Sequence, residues 1–156
     1  MNKFGIIVDG YSSGKFYLEY FKEKGIICLH LQSKINIPEF VKGCFCSGGY
    51  DEHYVNQNIE QTIDWISTYG IPEFIIPGCE IGVNLADELN DHFELPLRNP
   101  LINSKIRRDK FLMHEALEKA GLRSIQQGLF SSSKDALNWI IANDIKYPLV
   151  VKPINS

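Results

Sequence analysis

The sequence predicts an α/β fold, in which an open, mostly parallel sheet with helices on both faces is followed by an incomplete α+β segment. Three observations predict it. Short apolar runs alternate with segments whose apolar residues recur at helical spacing. Helix-terminating glycines follow the helical segments, as at Gly25, Gly70 and Gly121. The pattern changes near residues 98–104, where a polar stretch separates the two parts. Alternating strands and helices of this kind build parallel sheets.

The first part, residues 1–98, predicts a Rossmann-like sheet of four strands with the first strand inside. The strands are expected at 4–8, 26–31, 44–47 and 74–76. Helices are expected at 14–24 and 55–69, after Pro38, and along a face formed by Val83, Ala86, Leu89 and Phe93. The first apolar run stops at the turn pair Asp9-Gly10, and the fourth comes just before Pro77-Gly78.

The second part, residues 99–156, predicts a smaller α+β unit. A helix is expected over 104–120, a strand over 124–129, a helix after the capping box Ser132-x-x-Asp135, and a last strand over 149–152. These elements are too few to bury a core of their own. We therefore expect this unit to be the truncated beginning of a larger domain.

Composition excludes several classes of protein. The chain has 156 residues, 44% of them hydrophobic, which excludes a disordered chain. A net charge of −3 without a long basic block argues against nucleic acid as a partner. No apolar stretch approaches the roughly 20 residues that cross a bilayer, and the N-terminus lacks a signal peptide's apolar segment. We expect a cytoplasmic protein without a membrane partner; its oligomeric state stays open, a homodimer included.

Two candidate motifs fail on spacing. Residues 10–15 (GYSSGK) lie where a phosphate loop would lie, but three residues separate the glycines and Phe16 replaces the Ser or Thr that binds magnesium. A tight turn explains both glycines. Cys44 and Cys46, with His53 nearby, lack the spacing and the second ligand pair of a zinc site. The sequence therefore predicts no metal site and reduced cysteines.

A receiver-like signalling domain is one alternative. Asp9 follows a strand and Lys152 follows another, as the acid and the lysine of a phosphoacceptor site would. Such a site also needs an aspartate at the end of the third strand, where Asp51 is the nearest acid. The segment 104–143 also exceeds what a receiver contains, so this alternative is less well supported.

A third series of motifs is more specific. Asp109-Lys110 near a helix start, residues 120–122 (AGL) at its end, and 147–153 (YPLVVKP) follow in order. This series resembles the opening of an ATP-grasp domain. Upstream, residues 77–83 (PGCEIGV) and 85–87 (LAD) resemble the end of the pre-ATP-grasp domain of the same enzymes. The resemblance covers essentially the whole chain and is nearest to L-amino-acid ligases and other small carboxylate–amine ligases.

The resemblance implies a function and two site residues. Such ligases use ATP and magnesium to activate a carboxylate as an acyl phosphate, which an amine then attacks. Lys110 and Lys152 match the lysines that contact the nucleotide phosphates. Without the family, Lys110 is equally explained as part of a solvated basic face, and Lys152 as a lysine that protects an edge strand. The catalytic residues and the identities of the carboxylate and amine remain unspecified.

Glu80 is the candidate for a substrate pocket. It follows an apolar strand and a Pro-Gly turn, at the position where open α/β sheets bind ligands. It is equally placed to stabilise the start of the next helix. The family's glycine-rich loop and magnesium ligands are not recognisable in these residues, so the chain alone is expected to be inactive. The alternative is a free-standing, non-catalytic binding or interaction module.

Overall fold

The computed structural model describes residues 3–45 and 47–153. The chain divides into two compact units, Met1–Leu101 and Ile102–Ser156. No helix among the described residues is both long enough and apolar enough to span a bilayer.

The first unit is built on a four-stranded parallel sheet. Its strands are β1 (Phe4–Val8), β2 (Ile27–Gln32), β3 (Glu52–Val55) and β4 (Ile75–Pro77). The strand order is β3-β2-β1-β4, and every pairing is parallel. The predicted fold class, with the first strand inside the sheet, is therefore confirmed.

Helices cover both faces of this sheet. They are α1 (Lys15–Glu23) on one face, and α3 (Ile59–Ser67) and α4 (Val83–His92) on the other. A short helix α2 (Glu39–Lys42), which buries no residue, follows β2. Leu18 of α1 packs with Ile7 and Cys28 on one face. The larger cluster lies on the face that α3 and α4 cover, and its fully buried members include Ile6, Val8, Leu29, Leu31, Ile66 and Leu89. Burying these side chains is the main favourable contribution to folding.

The prediction of a third strand at 44–47 was wrong. Cys46 lies outside the described residues, and Ser47–Gly49 form a 3-10 turn. The strand is instead Glu52–Val55, in the segment where the helix was expected to begin. That helix begins only at Ile59, because the Asn58 side chain accepts a hydrogen bond from the Gln61 amide and caps it.

The second unit contains α5 (Ser104–Arg108), α6 (Lys110–Lys119) and α7 (Ser133–Ala142). The single helix predicted over 104–120 is interrupted at Asp109, whose extended backbone ends α5. The Asp109 carboxylate accepts hydrogen bonds from the amides of Phe111 and Leu112 and so caps α6. The predicted capping box is confirmed: Ser132 Oγ accepts from the Asp135 amide and donates to its carboxylate.

The strands predicted over 124–129 and 149–152 do not form. No strand occurs among the described residues of the second unit. An extended segment becomes a strand only when a neighbour pairs with its amides and carbonyls, and no such neighbour lies within residues 102–153. Apolar side chains of these segments are exposed, and Val151 is 97% exposed.

Candidate functional site at the sheet switch point

The strand order creates a switch point between β1 and β4. From β1 the chain proceeds to β2 and β3 on one side, then returns to pair β4 with the other edge of β1. Parallel α/β sheets bind ligands outside the carboxyl ends of the strands at such a point. Two loops form this edge: residues 9–14 after β1, here called the β1 loop, and residues 78–82 after β4, here called the β4 loop.

The β1 loop is held by the carboxyl end of β2. Each of the four consecutive residues 30–33 forms a hydrogen bond with one of the first three residues of the β1 loop, residues 9–11. The bonds are Asp9 N to Leu31 O at 2.8 Å, Gly10 N to His30 Nε2 at 3.0 Å, Tyr11 Oη to Gln32 Oε1 at 3.0 Å, and Ser33 N to Asp9 Oδ1 at 2.9 Å. The conformation of the β1 loop is thus set by the neighbouring strand as well as by its own turn.

Asp9 is a fully buried carboxyl group in a left-handed backbone conformation, with a φ of 53°. Besides the Ser33 amide, it accepts the Ser33 hydroxyl at 2.5 Å. Burial raises the pKa of Asp9, because the charged form loses its hydration, while the two Ser33 hydrogen bonds act in the opposite direction. Asp9 therefore anchors the turn and is not presented to a ligand.

His30 is the second buried polar group beneath the β1 loop, with none of its surface exposed. Its Nε2 accepts from Gly10, and its Nδ1 lies 2.8 Å from Nδ1 of His53, the paired residue on β3. Burial, and secondarily the electrostatic interaction with the neighbouring His53, lower the pKa of His30 to about 3. His30 is therefore neutral at physiological pH.

Glycine backbone brings the two loops into direct contact. A Cβ added to Gly14 would lie 2.4 Å from the Cα of Gly78, and one added to Gly78 would lie 2.5 Å from the Asp9 carbonyl oxygen. A Cβ on Gly82 would lie 2.8 Å from the Val8 carbonyl oxygen. Side chains are excluded here because the two backbones already fill the space.

Small polar side chains surround this contact. Ser12 and Ser13 of the β1 loop are exposed, and Ser12 has a φ of 53°. Cys79 of the β4 loop is half-buried, and burial raises its pKa, so the thiol is protonated at neutral pH. The switch point thus offers hydroxyl and thiol groups on a rigid backbone.

The residues proposed from the sequence lie in both units. Glu80 is exposed and opens the 3-10 turn Glu80–Gly82 that leads into α4, so it belongs to the switch point. Lys110 is the first residue of α6 and is half-buried, and Lys152 is exposed. Both lysines lie in the second unit. Their contact with nucleotide phosphates stays a prediction, as do the two roles of Glu80.

Two alternative sites find no support in the described residues. Among residues 3–45 and 47–153, no three His, Cys, Asp or Glu side chains are grouped so that they could hold a metal ion. The strand order also differs from that of a receiver domain, in which the third strand pairs with the first. Here β3 pairs with β2, and the acid near it, Asp51, precedes the strand and accepts the Cys28 amide.

Sequence reasoning missed the support beneath the β1 loop. The sequence shows Asp9 as an acid at a strand end, but it does not show that Ser33 is its partner. His30 interrupts an apolar strand, and a polar side chain in such a run is the one signal in the sequence that could have located a buried hydrogen-bonded group.

Comparison with known proteins identifies relatives along the whole chain. No family model matches it. Dapdiamide A synthase of Enterobacter agglomerans is 37% identical over 154 residues, which are 97% of this chain and 36% of that protein. The chain therefore spans about a third of the length of this curated relative.

Solved structures of three ligases and synthetases share the fold. L-amino acid ligase from Bacillus licheniformis matches with a TM-score of 0.69 at 16% identity, over 99% of this chain and 36% of that one. N5-carboxyaminoimidazole synthetase from Staphylococcus aureus, solved with ADP, matches with a TM-score of 0.68 at 17% identity, over 100% and 41%. Phosphoribosylglycinamide synthetase from Anaerococcus prevotii matches with a TM-score of 0.64 at 18% identity, over 95% of this chain and 36% of that one. The curated relative, dapdiamide A synthase, is an ATP-grasp ligase, and the fold of the chain matches the N-terminal region of ATP-grasp ligases.

Proposed function

We propose that this chain is the N-terminal part of an ATP-dependent ligase that joins a carboxylate to an amine. The observation that carries the proposal is the 37% identity to dapdiamide A synthase over 97% of the chain. The shared fold with an L-amino acid ligase supports it independently. We infer that the carboxylate and the amine are small molecules of the amino-acid class.

The reaction follows from the low reactivity of a carboxylate toward amines. A carboxylate oxygen attacks the terminal phosphorus of ATP, and ADP leaves. The amine then attacks the carbonyl carbon of the resulting acyl phosphate, inorganic phosphate leaves, and the amine loses a proton as the amide forms. Magnesium, when bound, neutralises phosphate charge in such transfers. Among residues 3–45 and 47–153, no three His, Cys, Asp or Glu side chains are grouped so that they could hold this ion.

Lys110 and Lys152 are proposed to contact the nucleotide phosphates. The ammonium group of each lysine is positively charged and donates hydrogen bonds. Lys152 is exposed on an extended segment, where a phosphate can reach it. Lys110 begins the ten-residue helix α6, so its position is fixed by a helix that Asp109 caps. These placements fit a phosphate-binding role for both lysines.

The two units are proposed to correspond to two domains of the relatives. Residues 1–98 would form the pre-ATP-grasp domain, with the switch point and Glu80 facing a substrate. Residues 99–156 would begin the ATP-grasp domain. The exposed apolar side chains of the second unit, Val151 among them, fit this proposal because a further domain segment would cover them.

The experiment is a ligase assay on the protein encoded by the full reading frame. Purified protein is incubated with ATP, magnesium and pairs of amino acids, and ADP release and product mass are measured. Lys152→Ala is expected to lower turnover by roughly 10²–10³, the range for losing one well-placed charge-stabilising donor. The matched control is Lys119→Ala, whose exposed ammonium pairs with Glu115 on the surface of α6.

Two outcomes would overturn the proposal. One is unchanged turnover in Lys152→Ala. The other is a reading frame that ends directly after Ser156, because the enzyme requires a following glycine-rich loop and a Glu-x-Asn segment. That second outcome would favour a free-standing binding module instead.

A further inference from the structure

The His30–His53 pair, in which one imidazole is buried and the other exposed, is a polar feature that the proposed function does not use. It begins at the β1 loop, where the Gly10 amide donates to His30 Nε2 at 3.0 Å. It continues from His30 Nδ1 to His53 Nδ1 at 2.8 Å. The two rings are nearly parallel, at 11°, with centroids 4.9 Å apart. A backbone amide of the switch point is thus connected through the His30 imidazole to that of His53 on β3.

The direction of these hydrogen bonds fixes both tautomers. A backbone amide only donates, so His30 Nε2 carries no proton and the ring hydrogen is on Nδ1. That hydrogen points at His53 Nδ1, which must therefore be the acceptor, so His53 carries its own hydrogen on Nε2. The arrangement needs both rings neutral, because a proton on either acceptor nitrogen would place two donors face to face.

The two histidines differ in access to solvent. His30 is fully buried, and the rings of Tyr11, Phe45 and Tyr50 lie 5.6, 4.5 and 4.9 Å from its centroid. His53 is exposed and lines an open cavity of about 430 Å³ together with Phe45, Tyr50, Asp51 and Glu52. His53 is therefore the end of the pair at which a proton from solvent can bind.

The ionisable groups around the pair are two carboxylates and two tyrosines. Asp51 and Glu52 line the same cavity as His53. Tyr11 and Tyr50 pack on His30, and burial raises the pKa of Tyr11 to about 12, so Tyr11 stays neutral. Burial lowers the pKa of His30 to about 3, so His30 does not take up the proton first.

We propose that His30 and His53 are positioning residues that fix the β1 loop through the Gly10 amide, and that proton uptake by His53 loosens it. The proton from solvent binds His53 Nδ1 and breaks its bond with His30 Nδ1–H. His30 then loses its partner and its ring is free to rotate away from Gly10. This effect on the β1 loop does not depend on the proposed function.

The first test reads the tautomers directly. Nitrogen-15 spectra of the histidine rings at pH about 8, where histidines are neutral, should show the proton of His30 on Nδ1 and that of His53 on Nε2. A His30 ring that carries its proton on Nε2, or is charged, would contradict the proposal. This measurement needs neither ATP nor a substrate, so an inactive protein would refute the proposed function and leave this inference standing.

The second test measures hydrogen exchange of the Gly10 amide in matched variants. Asn at position 53 keeps a side-chain oxygen as acceptor that does not titrate, whereas Leu offers none. His53→Leu should lower the Gly10 protection factor roughly 10-fold, the effect of losing about 1.4 kcal/mol. His53→Asn should retain protection at pH about 8 and keep it at pH about 5, across the range in which histidine titrates.

The wild-type protein should lose Gly10 protection over the same pH range. His92→Asn, at the exposed end of α4, is the control and should behave as wild type. Equal protection factors in wild type and His53→Asn at both pH values would overturn the proton-dependent part. Unchanged protection in His53→Leu would overturn the positioning role.

Discussion

Gly14 and Gly78, one from each loop of the switch point, meet backbone to backbone, so that a Cβ on Gly14 would lie 2.4 Å from the Gly78 Cα. Because no side chain separates the loops, a shift of one must displace the other. The crevice at the switch point is therefore formed by two loop backbones in direct contact. The exposed residues Ser13 and Glu80 belong to these two loops, so the contact also sets their positions.

Gly14→Ala is expected to destabilise the protein by about 1–3 kcal/mol, the usual cost of overpacking. The backbone of Gly14 is ordinary right-handed helix, with a φ of −60°, so the cost arises from the contact with Gly78 alone. Gly43→Ala is the control, since Gly43 has the same φ of −60° and open space around it. Urea unfolding measures both, and equal midpoints would show that the loops separate freely.

Asp9→Asn should change the pH dependence of stability. The pKa of Asp9 is raised above its ordinary value of 3.8, so the folded state binds the proton more tightly than the unfolded state. Its contribution to stability is therefore complete below 3.8 and is lost as the pH rises through the folded-state pKa. Asn tolerates the left-handed φ at this position and does not titrate.

The measurement compares urea unfolding of wild type and Asp9→Asn at pH about 4 and about 8. The free energy of unfolding of wild type minus that of Asp9→Asn should be larger at the lower pH than at the higher pH. Asp64→Asn, an exposed substitution on α3, controls for surface charge. A relative gain of wild type at the higher pH would mean that the folded state favours the Asp9 carboxylate, opposite to the effect of its burial.

Asp109→Ala should destabilise the second unit by about 1 kcal/mol, the typical cost of losing an N-cap. The Asp109 carboxylate bonds two amides, those of Phe111 and Leu112, at 2.9 and 3.0 Å. Hydrogen exchange of these two amides should accelerate, while the amides of α7 stay protected. Glu118→Ala, exposed near the end of α6, is the comparison. Unaltered exchange at Phe111 and Leu112 would show that the cap is not needed.

The 156-residue chain alone is expected to bind ATP with magnesium more weakly than about 10 μM, or about −7 kcal/mol. ATP-grasp enzymes enclose the nucleotide between two lobes, and this chain spans about a third of dapdiamide A synthase. An ammonium and a phosphate 4 Å apart in water gain only about 1 kcal/mol. Calorimetric titration tests this, and tighter binding would place the nucleotide site within these residues.

The regular part of the fold was predictable because its signals are local. The apolar runs of β1 and β2 and the glycines Gly25 and Gly70 that follow α1 and α3 indicated those elements directly. The third strand was misplaced because Val55 lies at the same helical spacing as the apolar residues of α3. The predicted helix therefore began at Val55, which is the last residue of β3. The Asn58 cap was the signal that separates them.

The second unit and the site were less predictable for a different reason. The apolar run at 149–151 has strand character, but pairing needs a partner that the sequence of that run does not contain. At the site, Asp9 and Ser33 are 24 residues apart, and Gly10 and His30 are 20 apart. Only the register of β1 against β2, in which Val8 pairs with Leu31, brings them together.

The four successive bonds from residues 30–33 to the β1 loop limit how this edge can change during evolution or design. Neighbouring strand residues point to opposite faces, so the insertion of one residue into β2 would exchange the roles of His30 and Leu31 and withdraw every contact at once. The β1 loop is thus not a portable segment. If its six residues were grafted onto another parallel sheet, they would keep their conformation only if the end of β2 were transferred with them. The smallest segment that can be exchanged therefore includes both β1 with its loop and the end of β2.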